Sequence, residues 1–123
     1  MIDGNVSRHA ILIVEDDPLL RLLTVDVVEE AGFVALQADN ADKAVTILEV
    51  RSDIALLLTD INMPGSIDGL KLAHAVRNRW PPIKIIVVSS GVLDRDLPTK
   101  SRFLAKPYHA EKLISEIRSL IGP

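Results

Sequence analysis

The chain has 123 residues, 48% of them hydrophobic and 25% charged, which is one domain's worth of sequence with enough apolar side chain for a buried core. It has no cysteine, so a disulfide scaffold, a thiolate metal site and a cysteine nucleophile are all excluded. Aromatic residues at 3% and a net charge of −3 speak against stacking platforms or a phosphate-neutralising surface for nucleic acid. The first nine residues are polar, without the charged and apolar regions of a signal peptide. The longest apolar runs, Ala10–Val14 and Ile54–Leu58, are too short to span a bilayer. The expectation is a cytoplasmic protein with no membrane contact, a single domain over residues 1–123 with its core at about 9–121.

In chain order, Ala10–Val14 reads as a first strand. Asp17-Pro18 then opens a helix, with a capping carboxylate followed by proline at the first helical position, and Gly32 closes it. Leu19, Leu23 and Val27 form an i, i+4 row in that helix, widened by Leu20 and Val28. A second strand is expected over Phe33–Ala38. A helix after Asn40 places Ala41, Ala44, Val45 and Leu48 on one face. Ile54–Thr59 is the third strand; a helix from about Gly69 to Trp80 turns Ala73 and Val76 inward and stops at Pro81-Pro82. Ile83–Val88 and Arg102–Ala105 are the last two strands. The final helix carries the narrow stripe Leu113, Ile114, Ile117, Leu120 and Ile121, with Glu111, Lys112, Glu116 and Arg118 toward water.

The first, third and fourth of these strands are apolar without alternation, as in parallel sheets covered on both faces. Alternation of strand and helix predicts an α/β fold with right-handed crossovers: a flavodoxin-like, doubly wound sheet of five parallel strands in order 2-1-3-4-5. Ligands of such sheets bind beyond the carboxyl ends of the strands. Strand one ends in Glu15-Asp16-Asp17, strand three in Thr59-Asp60-Ile61-Asn62, strand four in Ser89-Ser90 and strand five in Lys106-Pro107. The predicted order brings these ends to one rim. Two carboxylates ~5 Å apart repel by roughly 3 kcal/mol at an effective dielectric near 20. A divalent hard cation with oxygen ligands relieves that repulsion, and Mg2+ suits the set. Asp60 could then act as a carboxylate nucleophile toward phosphorus, with Mg2+, Lys106 and Ser89 neutralising the transferring oxygens. The charge count alone does not say which carboxylate attacks.

Taken together, Val14-Glu15-Asp16-Asp17-Pro18, Thr59-Asp60-Ile61-Asn62-Met63-Pro64, Ser89 and Lys106-Pro107 resemble the response-regulator receiver domain of two-component signalling, over about His9 to Ile121. The resemblance implies that Asp60 is the phosphoacceptor, charged by the phosphohistidine of a sensor histidine kinase or a histidine phosphotransfer protein. It implies Mg2+ as cofactor, with Asp16 and Asp60 as ligands, Glu15 acting mostly through water and the backbone carbonyl of Asn62 completing the set. Ser89 matches the hydroxyl and Lys106 the basic residue that follow the phosphoryl group, and Phe103 stands at the aromatic switch position. Such a protein is a phosphoacceptor switch rather than an enzyme, acting on a downstream protein target the sequence does not name. In the family the Lys106-Pro107 bond is typically cis.

Two departures from the family pattern stand out. Ser66-Ile67-Asp68 makes the loop after Asp60 one residue longer than usual. Lys106 follows Ser89 by only seventeen positions, so Gly91–Lys100 is expected as a loop or single turn in place of the family's fourth helix. The rival readings are a phosphorylation-independent interaction module of the same fold and a haloacid-dehalogenase-like Mg2+ phosphatase. The phosphatase reading is opposed by the missing Asp-x-Asp after strand one and by the lack of room for a cap. A flavodoxin would need a Ser/Thr/Gly-rich phosphate loop there. Nothing in the chain reads as a helix-turn-helix or basic patch for nucleic acid. Asp17 reads as a helix cap, Trp80 as a packing residue, and His9, His74 and His109 as surface residues without metal-ligand spacing.

Overall fold

The computed structural model describes residues 10–61, 68–91 and 96–122. Five strands, β1 (Ala10–Val14), β2 (Val34–Ala38), β3 (Ile54–Asp60), β4 (Lys84–Ser89) and β5 (Arg102–Ala105), and helices α1 (Pro18–Glu30), α2 (Ala41–Val50), α3 (Gly69–Arg79) and α4 (Ala110–Ile121) alternate along the chain, except that among the described residues β5 follows β4 with no helix between them. All pairings are parallel and the sheet order is β2-β1-β3-β4-β5, as the alternation predicts. No described helix is long and apolar enough to cross a membrane.

The period-two geometry of a strand divides the core into two layers. Leu12, Val14, Leu57, Ile85 and Val87 face α2 and α3. Ile11, Ile13, Leu56, Leu58, Ile86 and Val88 face α1 and α4, where Val25, Val28, Leu113 and Ile117 meet them. Each of the first three helices starts on a side-chain cap. Asp17 accepts from the amides of Leu19 and Leu20, Asn40 from Lys43, and Asp68 from Lys71.

The inward face of α1 differs from the expected row. Leu19, Leu22 and Leu23 are 68%, 55% and 54% exposed, and Thr24, Val25 and Val28 are the buried positions. Thr24 is admitted because its hydroxyl donates to Leu20 O at 2.8 Å, which removes the cost of burying a polar group. The helix is apolar nearly all round in its first half, so periodicity could not choose the face. Smaller differences lie at the element ends: β2 begins one residue later than expected, β3 and β4 each run one residue further, to Asp60 and Ser89, and Glu116 is half-buried beneath Arg102 of β5. Residues 96–101 carry no helix, in keeping with the short spacing before Lys106. They are tied to α3 instead: the His74 ring lies 2.9 Å from Asp96 O, and Arg77 Nε donates to Thr99 O at 2.8 Å.

One glycine fixes how closely α3 approaches the sheet. Gly69 N–H donates to Ile61 O, and a Cβ on Gly69 would stand 1.5 Å from the backbone oxygen of Asp60. Gly91 by contrast faces open space. Gly69→Ala should therefore cost about 3 kcal/mol in urea unfolding, at the upper end for overpacking because backbone rather than a side chain must yield. Gly91→Ala should stay within about 0.5 kcal/mol of wild type.

Candidate functional site

The register of the parallel sheet sets the ends of β1, β3, β4 and β5 side by side. Val14 pairs with Thr59, Asp60 with Val88 and Ser89 with Ala105. Backbone bonds beyond the strands extend the alignment: Ile61 N–H donates to Val88 O, and Lys106 N–H to Ser89 O. Glu15, Asp60, Ser89 and Lys106 are thus delivered to one rim by the backbone before any side chain acts.

Glu15, Asp60 and Ser89 are buried, while Asp16 is exposed. Lys106 reaches in from the end of β5, its Nζ donating to Asp60 Oδ2 at 2.8 Å and to Glu15 Oε1 at 3.0 Å. Glu15 Oε2 also accepts the amide of Asp17 at 3.1 Å. Burial pushes the Glu15 carboxyl above the usual carboxylate range, opposed by the Asp17 amide and by Lys106. Burial pulls the Lys106 ammonium down, but its bonds to Asp60 and Glu15 outweigh that and hold it above the ordinary lysine range. Among the described residues, one cation therefore faces two buried carboxylates.

Carboxylate oxygens of Glu15, Asp16 and Asp60 lie within 4.8 Å of one another, so the three could hold a metal ion. Hard oxygen donors with a negative excess over the Lys106 ammonium fit a divalent hard cation and not a soft one. Ser89 Oγ accepts the Gly91 amide at 3.2 Å, which fixes the hydroxyl at the strand end. Asn62 lies outside the described residues, and so do residues 63–67 of the same loop.

These ends of the sheet have the composition and order of a known family. A family model for the response regulator receiver domain matches residues 11–118. The chain belongs to this family. It is 34% identical over 116 residues to the response regulator receiver protein CpdR of Brucella abortus, covering 90% of this chain and 95% of that protein. It is 30% identical to the nitrogen assimilation regulatory protein NtrX of Azorhizobium caulinodans, there spanning only 24% of the relative. Among solved structures, the response regulator TrrA of Thermotoga maritima, crystallised with Mg2+-BeF, superposes with a TM-score of 0.82 at 28% identity, covering 91% of this chain and 98% of that one. A CheY-like receiver from Methanospirillum hungatei superposes with a TM-score of 0.85 at 24% identity, which shows the shared fold. Receiver domains are phosphoacceptor switches rather than classical enzymes, and those of response regulators interact with histidine kinases.

In this receiver domain Glu15, Asp16, Asp60, Ser89 and Lys106 come together and Phe103 does not. Phe103 pairs with Val87 on the edge strand and is 38% exposed; its neighbour Leu104 turns to the α4 side of the sheet, so Phe103 faces the α3 side. Among the described residues no helix covers that part of β5. The peptide bond between Lys106 and Pro107 is cis.

Two residues at the rim escaped sequence reasoning. Tyr108 lines a narrow cleft beside Glu15 and Asp60, and its hydroxyl lies 3.5 Å from Thr24 Oγ1. Arg21 donates to the backbone oxygen of Glu15 at 2.9 Å. The only sequence signal for Arg21 was a lone cation in a run of leucines, one turn after the cap.

Removing the ammonium while leaving the carboxylates should be costly. In metal-free buffer, Lys106→Met should lose about 2 kcal/mol in urea unfolding, less than the usual cost of breaking a fully buried pair because Lys106 keeps some water contact. Adding Glu15→Gln should return part of that loss; a single variant as stable as wild type would mean that the ammonium does not hold the rim together.

Proposed function

We propose that this chain, read as one receiver domain, accepts a phosphoryl group on Asp60 from the phosphohistidine of a sensor kinase or phosphotransfer protein. The observation that carries the reading is the Lys106 ammonium shared between Asp60 and Glu15, beside the exposed carboxylate of Asp16. Asp16 and Asp60, with the Asn62 carbonyl and, through water, Glu15, would hold Mg2+, which would supply positive charge for the phosphoryl oxygens. TrrA, solved with Mg2+-BeF, supports this choice of ion.

In the transfer, a carboxylate oxygen of Asp60 forms a bond to phosphorus while the bond from phosphorus to the donor imidazole nitrogen breaks. The imidazole keeps that electron pair and takes up a proton, and Asp60 becomes an acyl phosphate. Lys106, already within 3 Å of Asp60, has only to leave Glu15 to pair with a phosphoryl oxygen, and Ser89 offers its hydroxyl as a donor to another. Because Lys106 N–H is bonded to Ser89 O, a pull on either residue is felt by both β4 and β5. The edge of the sheet at Phe103 and the adjoining segment 96–101 then change their surface, biasing contact with a downstream protein.

A protein donor has an apolar surface within reach. Exposed Leu23 lines a cavity of about 560 Å3 between α1 and the start of α4, whose wall also includes Leu20, Val27 and Lys106, and Leu19 and Leu22 are exposed on the same helix.

Incubation with Mg2+ and acetyl phosphate should add one phosphoryl group by intact mass, and the adduct should vanish without Mg2+ or in Asp60→Asn. An adduct that persists in Asp60→Asn would place the chemistry elsewhere; metal binding and phosphorylation both absent would favour an interaction module that never takes phosphate. The double variant Leu19→Ser/Leu23→Ser should react normally with acetyl phosphate and at least tenfold more slowly with a phosphorylated histidine-containing donor protein. Equal slowing with both donors would mean that the leucines support the site rather than receive a partner.

A further inference from the structure

Among the groups around the rim, Arg21 has a geometry that the phosphoacceptor reading does not use. It lies at the start of α1, half-buried, and its guanidinium makes two directed bonds. Nη1 donates to the backbone oxygen of Glu15 at 2.9 Å, and Nε donates to Oε1 of Gln37 at 3.0 Å. Gln37 is the penultimate residue of β2 and pairs with Ile13 of β1. On its other side, Glu15 donates its own N–H to Ala38 O. The Glu15 backbone is thus gripped at both polar groups, from the end of β2 and from α1.

That grip fixes the plane of the peptide joining Glu15 to Asp16. The consequence falls on Asp16, whose exposed carboxylate has no hydrogen bond or ion pair among the described residues. Its aim toward Asp60 is set by the backbone that carries it. Arg21 is the side chain that holds this backbone from outside the sheet, and the planar fork of a guanidinium suits a bond to each of two fixed oxygens.

We propose that Arg21 is a positioning residue for the metal site, orienting the Glu15–Asp16 peptide so that the Asp16 carboxylate is prearranged for a divalent cation. The inference rests on the Mg2+ reading above. It also opposes the effect of charge. A guanidinium this near an acidic site repels a dication, so if Arg21 acted through its charge alone, neutralising it would tighten Mg2+ binding. Positioning demands the reverse.

The test is Mg2+ affinity by titration calorimetry of wild type, Arg21→Gln, Arg21→Lys and Gln37→Ala, alongside amide exchange of residues 15–17 in metal-free buffer. Arg21→Gln should bind Mg2+ about tenfold more weakly and exchange the Asp17 amide about tenfold faster. Arg21→Lys keeps one donor for the Glu15 oxygen and should recover most of the affinity. Gln37→Ala leaves the Glu15 bond in place and should stay within about threefold of wild type. Arg21→Gln binding Mg2+ as tightly as wild type or more tightly, with unchanged exchange at Asp17, would overturn the positioning role and leave the site reading intact. Wild type that binds no Mg2+ would overturn both.

Discussion

Everything at this rim follows from the juxtaposition of two buried carboxylates, Glu15 and Asp60, under the Lys106 ammonium. Carboxylates this close to one another and shielded from water are held apart by several kilocalories of repulsion unless a cation lies between them. Lys106 is that cation, at 2.8 and 3.0 Å. It does not complete the neutralisation: one positive charge faces two carboxylates, and Asp16 adds a third. The remaining negative charge suits the rim to a divalent metal, and it is on that fit that the proposed phosphoryl transfer rests.

The sheet exists, for this purpose, to enforce that juxtaposition. Parallel strands without alternation bury both faces and fix a register in which the ends of β1, β3, β4 and β5 coincide. The absence of a side chain on Gly69 lets α3 seat against the backbone of Asp60. Asp17, as cap of α1, spends its amide on Glu15 and its carboxylate on the helix, so the acidic turn and the helix start are one structure. The same bond that joins Lys106 N–H to Ser89 O couples the two strands that lie farthest from β1.

Much of this was legible in the sequence because it depends on local rules. Strand order followed from alternating elements, helix starts from Asp17-Pro18 and Asn40, and the rim from asking what each strand ends in. The face of α1 was not legible: with Leu19, Leu20, Leu22 and Leu23 in succession, periodicity has no contrast, and a threonine that satisfies itself on Leu20 O took the buried place. Nor was Arg21, whose bond into the rim goes to a backbone oxygen, and backbone oxygens leave no mark in a sequence. Phe103 could be placed on β5 but not given an environment, since its exposure depends on what the shortened connection before β5 leaves uncovered.

That connection sets this receiver apart from the family pattern: segment 96–101 is strapped to α3 through His74 and Arg77 where a helix would have packed. The rim gathers Glu15, Asp16, Asp60 and Lys106, and the decisive question is whether a metal enters where the charge says it should. Anomalous diffraction from crystals soaked in Mn2+, which takes the same oxygen ligands as Mg2+, answers it directly. A single strong peak within bonding distance of the Asp16 and Asp60 carboxylates, with Lys106 still beside Asp60, is the predicted result. A peak elsewhere on the molecule, or none at this rim at saturating Mn2+, would contradict it.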